Sequence, residues 1–510
     1  KKKDKLIPLC ADTRHLNHLG SCYPMYFEFI KFCAVLLSII VIIQGIYALV
    51  TNHAGGACEE GLPGCVPNFA TKIALINKIN RGALLNAEPW LDLGVVIVMI
   101  IAFQLHRYNL RRIVYQVDKD TISPSDYTLM LRNVNKEISD VALKNFFEHV
   151  IPNRVTPVAQ ITRSYHIAHQ IREARKVQTL IRKAANAPSQ QDKDRLLAEA
   201  TAIEKRLQDA DEEGVDAAPV VFVSFKYEGD SKEIEELIMG RGLRRFMGPI
   251  LGYPYARARY SIKPYSFTPM EEAPEPTDIV WENVTFSGRQ KMRARALTFF
   301  GTGVLVAICF GILIGISVGQ QQLAINYPGT RGQQVVKGVG YIASIVVVAI
   351  NVVLQILIRK MVVYEKQSTY TNFYLSVGEK LAISTFINTA FTTFFAKVIV
   401  LDGGFSDTDV YFGEGAVISD MFLVFLSNAF VAPILGVLDS GWFMKKIQRV
   451  TERKKGKNSK LTQMDANTLY SGIMVDMAIK YAGLLKTMLM TAFYAPASPI
   501  ATVIGIAGMF

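Results

Sequence analysis

The stretch Glu271–Val284, EEAPEPTDIVWENV, is followed closely by the basic cluster GRQKMRARA (Gly288–Ala296) and then by an apolar run, Leu297–Val318. Its two prolines, Pro274 and Pro276, cannot sit inside a helix, since each lacks an amide hydrogen and fixes φ. Trp281, one of only three tryptophans, stands just before the basic cluster. An aromatic ring and then Lys and Arg at the mouth of an apolar run is the pattern of a cytosolic membrane interface. The stretch is therefore expected to be an extended polar tether that hands a cytosolic domain over to a membrane-embedded one. Trp281 is expected to anchor it, at the interface or against the cytosolic domain.

Composition supports that division. Half of the 510 residues are apolar and they are bunched into runs. A hydrocarbon core about 30 Å thick takes about 20 apolar residues as a helix. Spans are expected at Phe32–Val50, Leu91–Leu105, Leu297–Val318, Gly338–Ile358, Leu381–Leu401, Ala416–Leu438 and Ile473–Tyr494. The expected fold class is a polytopic α-helical membrane protein with an inserted cytosolic α+β domain. The net charge of +12 could suggest nucleic acid, but Lys and Arg gather at the ends of the apolar runs. HRYNLRR, RQKMRAR, IRK and KKIQRVTERKKGKNSK alternate with DGGFSDTDVYFGEG (Asp402–Gly415), which has no Lys or Arg. By the positive-inside rule the basic ends are cytosolic and the acidic loop faces outward. The basic loop after the sixth span could also grip anionic lipid headgroups.

The first apolar run is not a cleavable signal peptide, since it lacks a small-residue cleavage pattern. Cys58 and Cys65 (CEEGLPGC) fall in a loop placed outside, as a local disulfide or as two free thiols. Cys33 and Cys309 are expected to be packed in apolar runs. The sequon Asn283-Val284-Thr285 falls on the cytosolic side, where it would go unused. A run that stops at Phe510 reads as a chain shorter than the whole protein.

Three regions follow: 1–106 with two spans, 107–296 cytosolic, and 297–510 with the remaining spans. In the cytosolic region DYTLMLRNV reads as a strand and KEISDVALKNFFEHV as an amphipathic helix. A long insertion, about Ser164 to Asp211, is rich in helix formers and broken by NAPSQQD, as expected of a helical hairpin. APVVFVSFKY is then a second strand and SKEIEELIMG a second helix, a partial ferredoxin-like or RNA-recognition-like arrangement. FVSF (Phe222–Phe225) matches the end of a base-stacking motif. However, Ala218, Pro219 and Val220 stand where its basic, glycine and aromatic positions belong, and Met130 replaces the ring on the other strand. The expectation is a scaffold or protein interface, with no nucleic-acid partner.

The order of elements makes the resemblance specific. APEPTDIVWENV, reached from a split RNA-recognition-like domain and leading into an apolar span, resembles the OSCA-type family of osmosensitive, calcium-permeable channels. YEKQSTYTNFYLSVGEKLAISTFINTA (Tyr364–Ala390) and LLKTMLMTAFYAPASPI (Leu484–Ile500) are similar to the fourth-to-fifth-span connection and seventh-span end of OSCA-like and anoctamin-like proteins. The resemblance covers most of Tyr127–Phe510. It implies a mechanically or osmotically gated, non-selective cation channel, a pore built from the later spans, and a homodimer in the plasma membrane, at the cell surface or on cilia. The family has a further first span and several later ones not found here.

Polar residues in the spans supply the candidate path, because each is costly in lipid. Ser344, Asn351 and Gln355 share a face of the fourth span, and Thr385, Asn388 and Thr392 one of the fifth. Asp420, Asn428 and Asp439 follow one stripe of the sixth, with Pro433 and Gly436 as hinges. Asp476 and Lys480 open the seventh, with Gly483, Thr487 and Thr491 further along that face. Mutual hydrogen bonding between helices would account for the Ser and Thr residues. It accounts less well for Asp420, Asp476 and Lys480. A regulatory Ca²⁺ would draw on Asp420, Asn428, Asp439 and Asp476 at most, a partial oxygen set of which Asp420 and Asp476 are the candidates. Arg359 and Lys360 are lipid-phosphate candidates or topological anchors, and Lys397 snorkels outward. Asp402, Asp407, Asp409 and Glu414 would concentrate permeating cations at the outer mouth. The same stripe would serve a lipid scramblase as an open groove, and a membrane scaffold would merely pair it. No phosphate loop, metal-ligand cluster or nucleophile elbow points to an enzyme, and the seven histidines form no spaced set.

Overall fold

The structure, a computed structural model, describes residues 13, 16, 20–120, 122–150, 157–185, 187, 189–212, 216–239, 268–326, 330–391, 394–395, 412, 417–431, 434, 440–456, 459, 461–472 and 475–509. It is mostly helical, with one small antiparallel sheet. Among the described residues three helical stretches are long and apolar enough to cross a membrane: Cys22–His53, Gly82–Val117 and Gly288–Ile316.

The first of these is α1, Cys22–His53, interrupted by a π turn at Val41–Gly45. It packs against α2, Glu88–Asp120, through Cys33, Leu36, Leu37 and Val95. The helix α2 runs well past the Leu105 boundary expected from hydropathy, carrying HRYNLRR as further helical turns. Between α1 and α2 an ordered loop is pinned by the Cys58–Cys65 disulfide, so of the two thiol readings the bridge is the one formed. Cys33 and Cys309 are buried, as expected.

The region between α2 and the next long apolar helix forms a β-α-β-β-α-β fold. Strand β1, Thr128–Arg132, precedes α3, Asp140–Val150, and β2, Val158–Tyr165. The hairpin α4, Ala168–Ala185, and α5, Gln190–Glu212, is inserted before β3, Ala217–Phe225. Then come α6, Glu228–Met239, and the edge strand β4, Thr268–Glu272. The sheet order is β2-β3-β1-β4, with β3 antiparallel to β1 and β2. Successive side chains alternate faces. Leu129, Leu131, Val221 and Val223 therefore share one face, with Leu143 and Phe147 of α3 and Ile234 of α6 in the same core. The hairpin lies within the expected insertion, about Ser164 to Asp211, and two strands not expected, β2 and β4, complete the partial arrangement.

The opening stretch is not a loose tether. Glu271 and Glu272 belong to β4, paired with Met130 and Leu129 of β1. The segment beyond lies across the second sheet face, where Ala273, Ile279 and Val284 bury against Met130, Val220 and Phe222. Trp281 packs edge-on to Phe222, ring centroids 5.8 Å apart, so it anchors against the small domain.

After this strap come α7, Gly288–Asn326, and α8, Thr330–Val363. Helix α9, Tyr370–Phe386, runs into a π turn, Ile387–Phe391, and α10, Val417–Leu426, into another, Ser427–Val431. The amphipathic α11, Ser440–Lys455, and short α12, Gln463–Tyr470, lead to α13, Met477–Tyr494, and α14, Ile500–Ala507. The seventh apolar run, expected as a span over Ile473–Tyr494, is helical over Met477–Tyr494. Asp476 caps α13, accepting from the amides of Ala478 and Ile479, as a carboxylate favours at a helix N-terminus.

Candidate functional site

Three described helices depart from α geometry, and each π turn carries an amide side chain that bridges to another helix. A π turn holds one extra residue, so it re-aims side chains and is common where a helix is put to use. In α1, Gln44 donates to Glu88 Oε2 at 3.3 Å and to Asp92 at the start of α2. In the turn after α9, Asn388 Nδ2 donates to Asn351 Oδ1 of α8 at 2.9 Å. Asn351 Nδ2 in turn donates to Thr389 Oγ1 at 3.2 Å. In the turn after α10, Asn428 Nδ2 donates to Thr487 Oγ1 of α13 at 2.8 Å. The stripe residues Asn351, Asn388, Asn428 and Thr487 thus form two bridges, α8 to α9 and α10 to α13. Asn388 is fully buried, and its Oδ1 finds no hydrogen-bond donor among the described residues.

Rings of α9, α10 and α13 pack between these helices. Phe391 lies 4.9 Å from Phe493, centroid to centroid, and Phe386 6.4 Å from it. Phe425 meets Tyr494 at 6.2 Å. The Tyr494 hydroxyl donates to the Ala390 carbonyl at 2.9 Å, tying the end of α13 to the π turn of α9. The interior is therefore polar at the two amide bridges and aromatic beside them.

The remaining candidates divide. The hydroxyls of Thr385, Thr487 and Thr491 donate to carbonyls of their own helices, Leu381, Gly483 and Thr487 respectively. Gln355 is half-buried, while Lys480 is exposed near the start of α13 and Thr487 and Thr491, further along the same face, are buried. Arg359 is ion-paired with Asp476 and stands over the Tyr374 ring at 5.7 Å. The pair joins a lipid-phosphate or anchor candidate to a Ca²⁺ candidate, with Asp476 also capping α13. Lys360 remains exposed. Asp476 caps the start of α13, whereas Met421, next to Asp420, packs with Met490 and Tyr494 at its far end. An 18-residue helix is about 27 Å long, so Asp420 and Asp476 do not converge on one ion. Among the described residues no group of three or more His, Cys, Asp or Glu gathers. Ser344 lies in α8, but its side chain is outside the described set. Thr392, Lys397, Asp402, Asp407, Asp409, Glu414, Pro433, Gly436 and Asp439 also lie outside the described residues.

No protein-family model matches the chain. No curated protein matches it either. The site stands on its own geometry.

That geometry includes buried charge that the sequence reading passed over. Glu365, in the α8–α9 turn, accepts from Lys380 Nζ at 2.7 Å, Thr298 Oγ1 at 2.5 Å, Ser376 Oγ at 2.7 Å and Gln367 Nε2 at 2.9 Å. Lys380 also donates to Ser376 Oγ at 2.8 Å and lies over the Phe299 ring. Burial alone would push the Glu365 carboxyl up, but these four hydrogen bonds outweigh it and hold the carboxyl below its ordinary range. Such saturation makes an ionised pair tolerable in a low dielectric. A second buried pair, Lys78 with Glu88, links the α1–α2 loop to α2, with Thr51 Oγ1 2.9 Å from the ammonium. Lys486 sits half-buried midway along α13, an ionisable residue in an apolar helix.

The strap connects the small domain to the Glu365 turn. Val280 N donates to Ser368 O at 2.9 Å, Tyr370 N to Asp278 O at 2.8 Å, and Asn283 Nδ2 to Gln367 O at 2.9 Å. One side of the strap lies on the sheet and the other is bonded to the turn that carries the buried pair.

Proposed function

We propose that this chain is a mechanically or osmotically gated, non-selective, calcium-permeable cation channel of the OSCA type. It is a polytopic protein in which α8, α9, α10 and α13 surround the conduction path. The helices α1, α2 and α7 supply outer spans, and α8, α9 with its π turn, α10 with its π turn, and α13 supply the rest. The basic segments face the cytosol, the protein works as a homodimer, and it resides in the plasma membrane.

The observation that carries this reading is the pair of amide bridges on π turns beside a tight aromatic cluster. Polar side chains lining part of a path and an apolar constriction interrupting it are the parts of a pore that gates by dewetting. Tension acts by favouring whichever packing of these helices occupies more membrane area, a bias on a two-state balance. The strap supports a second element of the reading, since it gives the cytosolic domain a hydrogen-bonded hold on the α8–α9 turn. The same strap covers Met130 and Phe222, which favours a scaffold role for the small domain over nucleic-acid binding.

The test is reconstitution in liposomes, with excised patches under graded suction and a parallel assay of fluorescent-lipid transfer between leaflets. Suction-evoked cation current altered by Asn428→Ala or Asn388→Ala supports the channel. Lipid transfer without stretch-evoked current replaces it with a scramblase, and neither activity from folded protein replaces it with a membrane scaffold.

A further inference from the structure

Helix α11, Ser440–Lys455, buries very little of its apolar surface in the chain. Phe443, Met444, Ile447 and Val450 are 57, 55, 47 and 48 % exposed, and Trp442 is 49 % exposed. At about 100° per residue, Val450, Phe443, Ile447 and Met444 fall within one arc of about 120°. The opposite arc holds Lys445, Arg449 and Arg453, and it is occupied. Lys445 Nζ donates to Thr468 O at 3.1 Å and Arg449 Nε to Leu469 O at 2.9 Å, while Arg449 and Arg453 stand over the Tyr470 ring. The basic arc is thus bound to α12, satisfying carbonyls at that helix's C-terminal end, and the apolar arc faces away from it. Lys446 and Lys455 are exposed on either side of the apolar arc, Lys454 is exposed at its C-terminal end, and Glu452 is the only acid in the helix. The Lys446 ammonium lies 4.7 Å from the Trp442 ring centroid.

We infer that α11 lies in the surface of an anionic lipid leaflet, with its Phe443–Ile447–Val450 arc immersed and α12 carried on its back. This rests on the reading that Ala416–Leu438 crosses a membrane, for α11 then begins two residues past the membrane boundary. An interfacial helix needs an apolar arc and flanking basic side chains, and this one has both, while Trp442 stands on the other side, beside Arg449 and Arg453. Charge selects the occupant. A second copy docking through the same face would bring Lys446, Lys454 and Lys455 against their own counterparts. A leaflet containing phosphatidylserine offers the opposite charge, to which each lysine near the surface adds attraction.

The test uses the full chain in nanodiscs of phosphatidylcholine, alone or mixed with phosphatidylserine. Trp90→Phe, Trp281→Phe and Trp442→Phe, combined with Phe443→Trp, leave a single tryptophan within the apolar arc. In the mixed nanodiscs its emission is expected to be quenched by lipid brominated near the headgroup end of the chains and to be protected from aqueous iodide. Lys446→Gln and Lys454→Gln each shift that balance toward water by about fivefold, the effect of one basic side chain at an anionic surface. A spin label on Ile447→Cys reads the same depth independently, should the tryptophan variants fold poorly. Quenching by iodide and not by brominated lipid overturns the inference, and shielding from both replaces the leaflet with a second copy. As a control, Ile308→Trp in a chain without other tryptophans reports on α7. If it too escapes brominated lipid, the membrane reading has failed. If only the α11 tryptophan escapes, the surface helix alone has failed.

Discussion

The Lys380 ammonium and the Glu365 carboxylate lie 2.7 Å apart with both side chains wholly removed from solvent. Thr298 of α7 completes the contact, so the pair joins α7, the α8–α9 turn and α9 at one point. Removing one member of such a pair strands the other, and Lys380→Met or Glu365→Leu is expected to cost about 3–5 kcal/mol. The double variant is expected to cost less than the sum of the two, since no charge remains buried. Thermal unfolding in detergent, arranged as a double-mutant cycle, reads the difference. The pH dependence has a definite sign. The folded carboxyl is held below its ordinary value of 4.5, so its contribution is fully present above that value. It is lost as pH falls below 4.5 and through the lower folded value. Glu365→Gln is expected to flatten this acid limb.

Lys291, in the first turns of α7, titrates in the opposite part of the pH scale. Burial pushes its ammonium down to about 8 and repulsion from Arg132 adds to this, with Glu271 acting weakly against both. Between about 8 and the ordinary 10.5 the unfolded chain holds more protons than the folded one, so stability rises with pH across that window. Lys291→Met is expected to remove this part of the rise. Unfolding midpoints of both proteins at pH 7 and pH 10 check it, the comparison cancelling all other groups.

The strap supplies a prediction about coupling. Ile279 is 6 % exposed and sits between the sheet face and the Ser368–Tyr370 turn. Ile279→Ala removes apolar packing worth about 2–5 kcal/mol in a core. In patches it is expected to raise the suction needed for half-maximal current, because the small domain loses its grip on the α8–α9 turn. Arg175→Ala is the control. It breaks only the surface ion pair between the hairpin and Glu282, a kind of contact worth about 0–1 kcal/mol. Equal thresholds in Ile279→Ala and wild type would leave the strap a purely structural device.

How much of this was legible in the sequence follows from the physics of each element. The apolar runs, the amphipathic α3 and the hairpin's helix formers signal themselves through composition and period. So does the Cys58–Cys65 pair through its short spacing. The strand β2 escaped because it lies at the sheet edge, where Gln160 and Arg163 interrupt the apolar alternation. The strand β4 escaped because TPMEE is short, carries a proline, and keeps its glutamates toward solvent. At the site, the asparagines were found because an amide in an apolar run is conspicuous. The π turns that aim them leave no such mark. Glu365 and Lys380 were missed because each stands at the edge of an apolar run, where charge reads as an ordinary interfacial flank. Asp476 was misplaced for the reverse reason, since an aspartate beside apolar residues looks embedded when it is capping a helix.

The α10–α13 bridge gives the sharpest test of the proposed path. Asn428 donates to Thr487 Oγ1, and that hydroxyl donates onward to Gly483 O at 3.0 Å, so the contact is saturated on the threonine side. A neutral hydrogen bond of this kind contributes about 1 kcal/mol net. Asn428→Ala and Thr487→Val, alone and together, are expected to show a coupling energy of about that size in unfolding, because each single change already removes the bond. If α10 must move against α13 to open the path, each single variant also lowers the suction threshold, and the double variant lowers it no further. Asn428→Asp separates lining from bracing. A carboxylate facing a hydrated path draws cations and raises their permeability over anions, whereas one sealed between packed helices unfolds the protein or leaves selectivity untouched. Reversal potentials in asymmetric salt decide between these outcomes. Unchanged selectivity in a folded Asn428→Asp channel would move the path away from the α10–α13 bridge and toward the Asn351–Asn388 bridge.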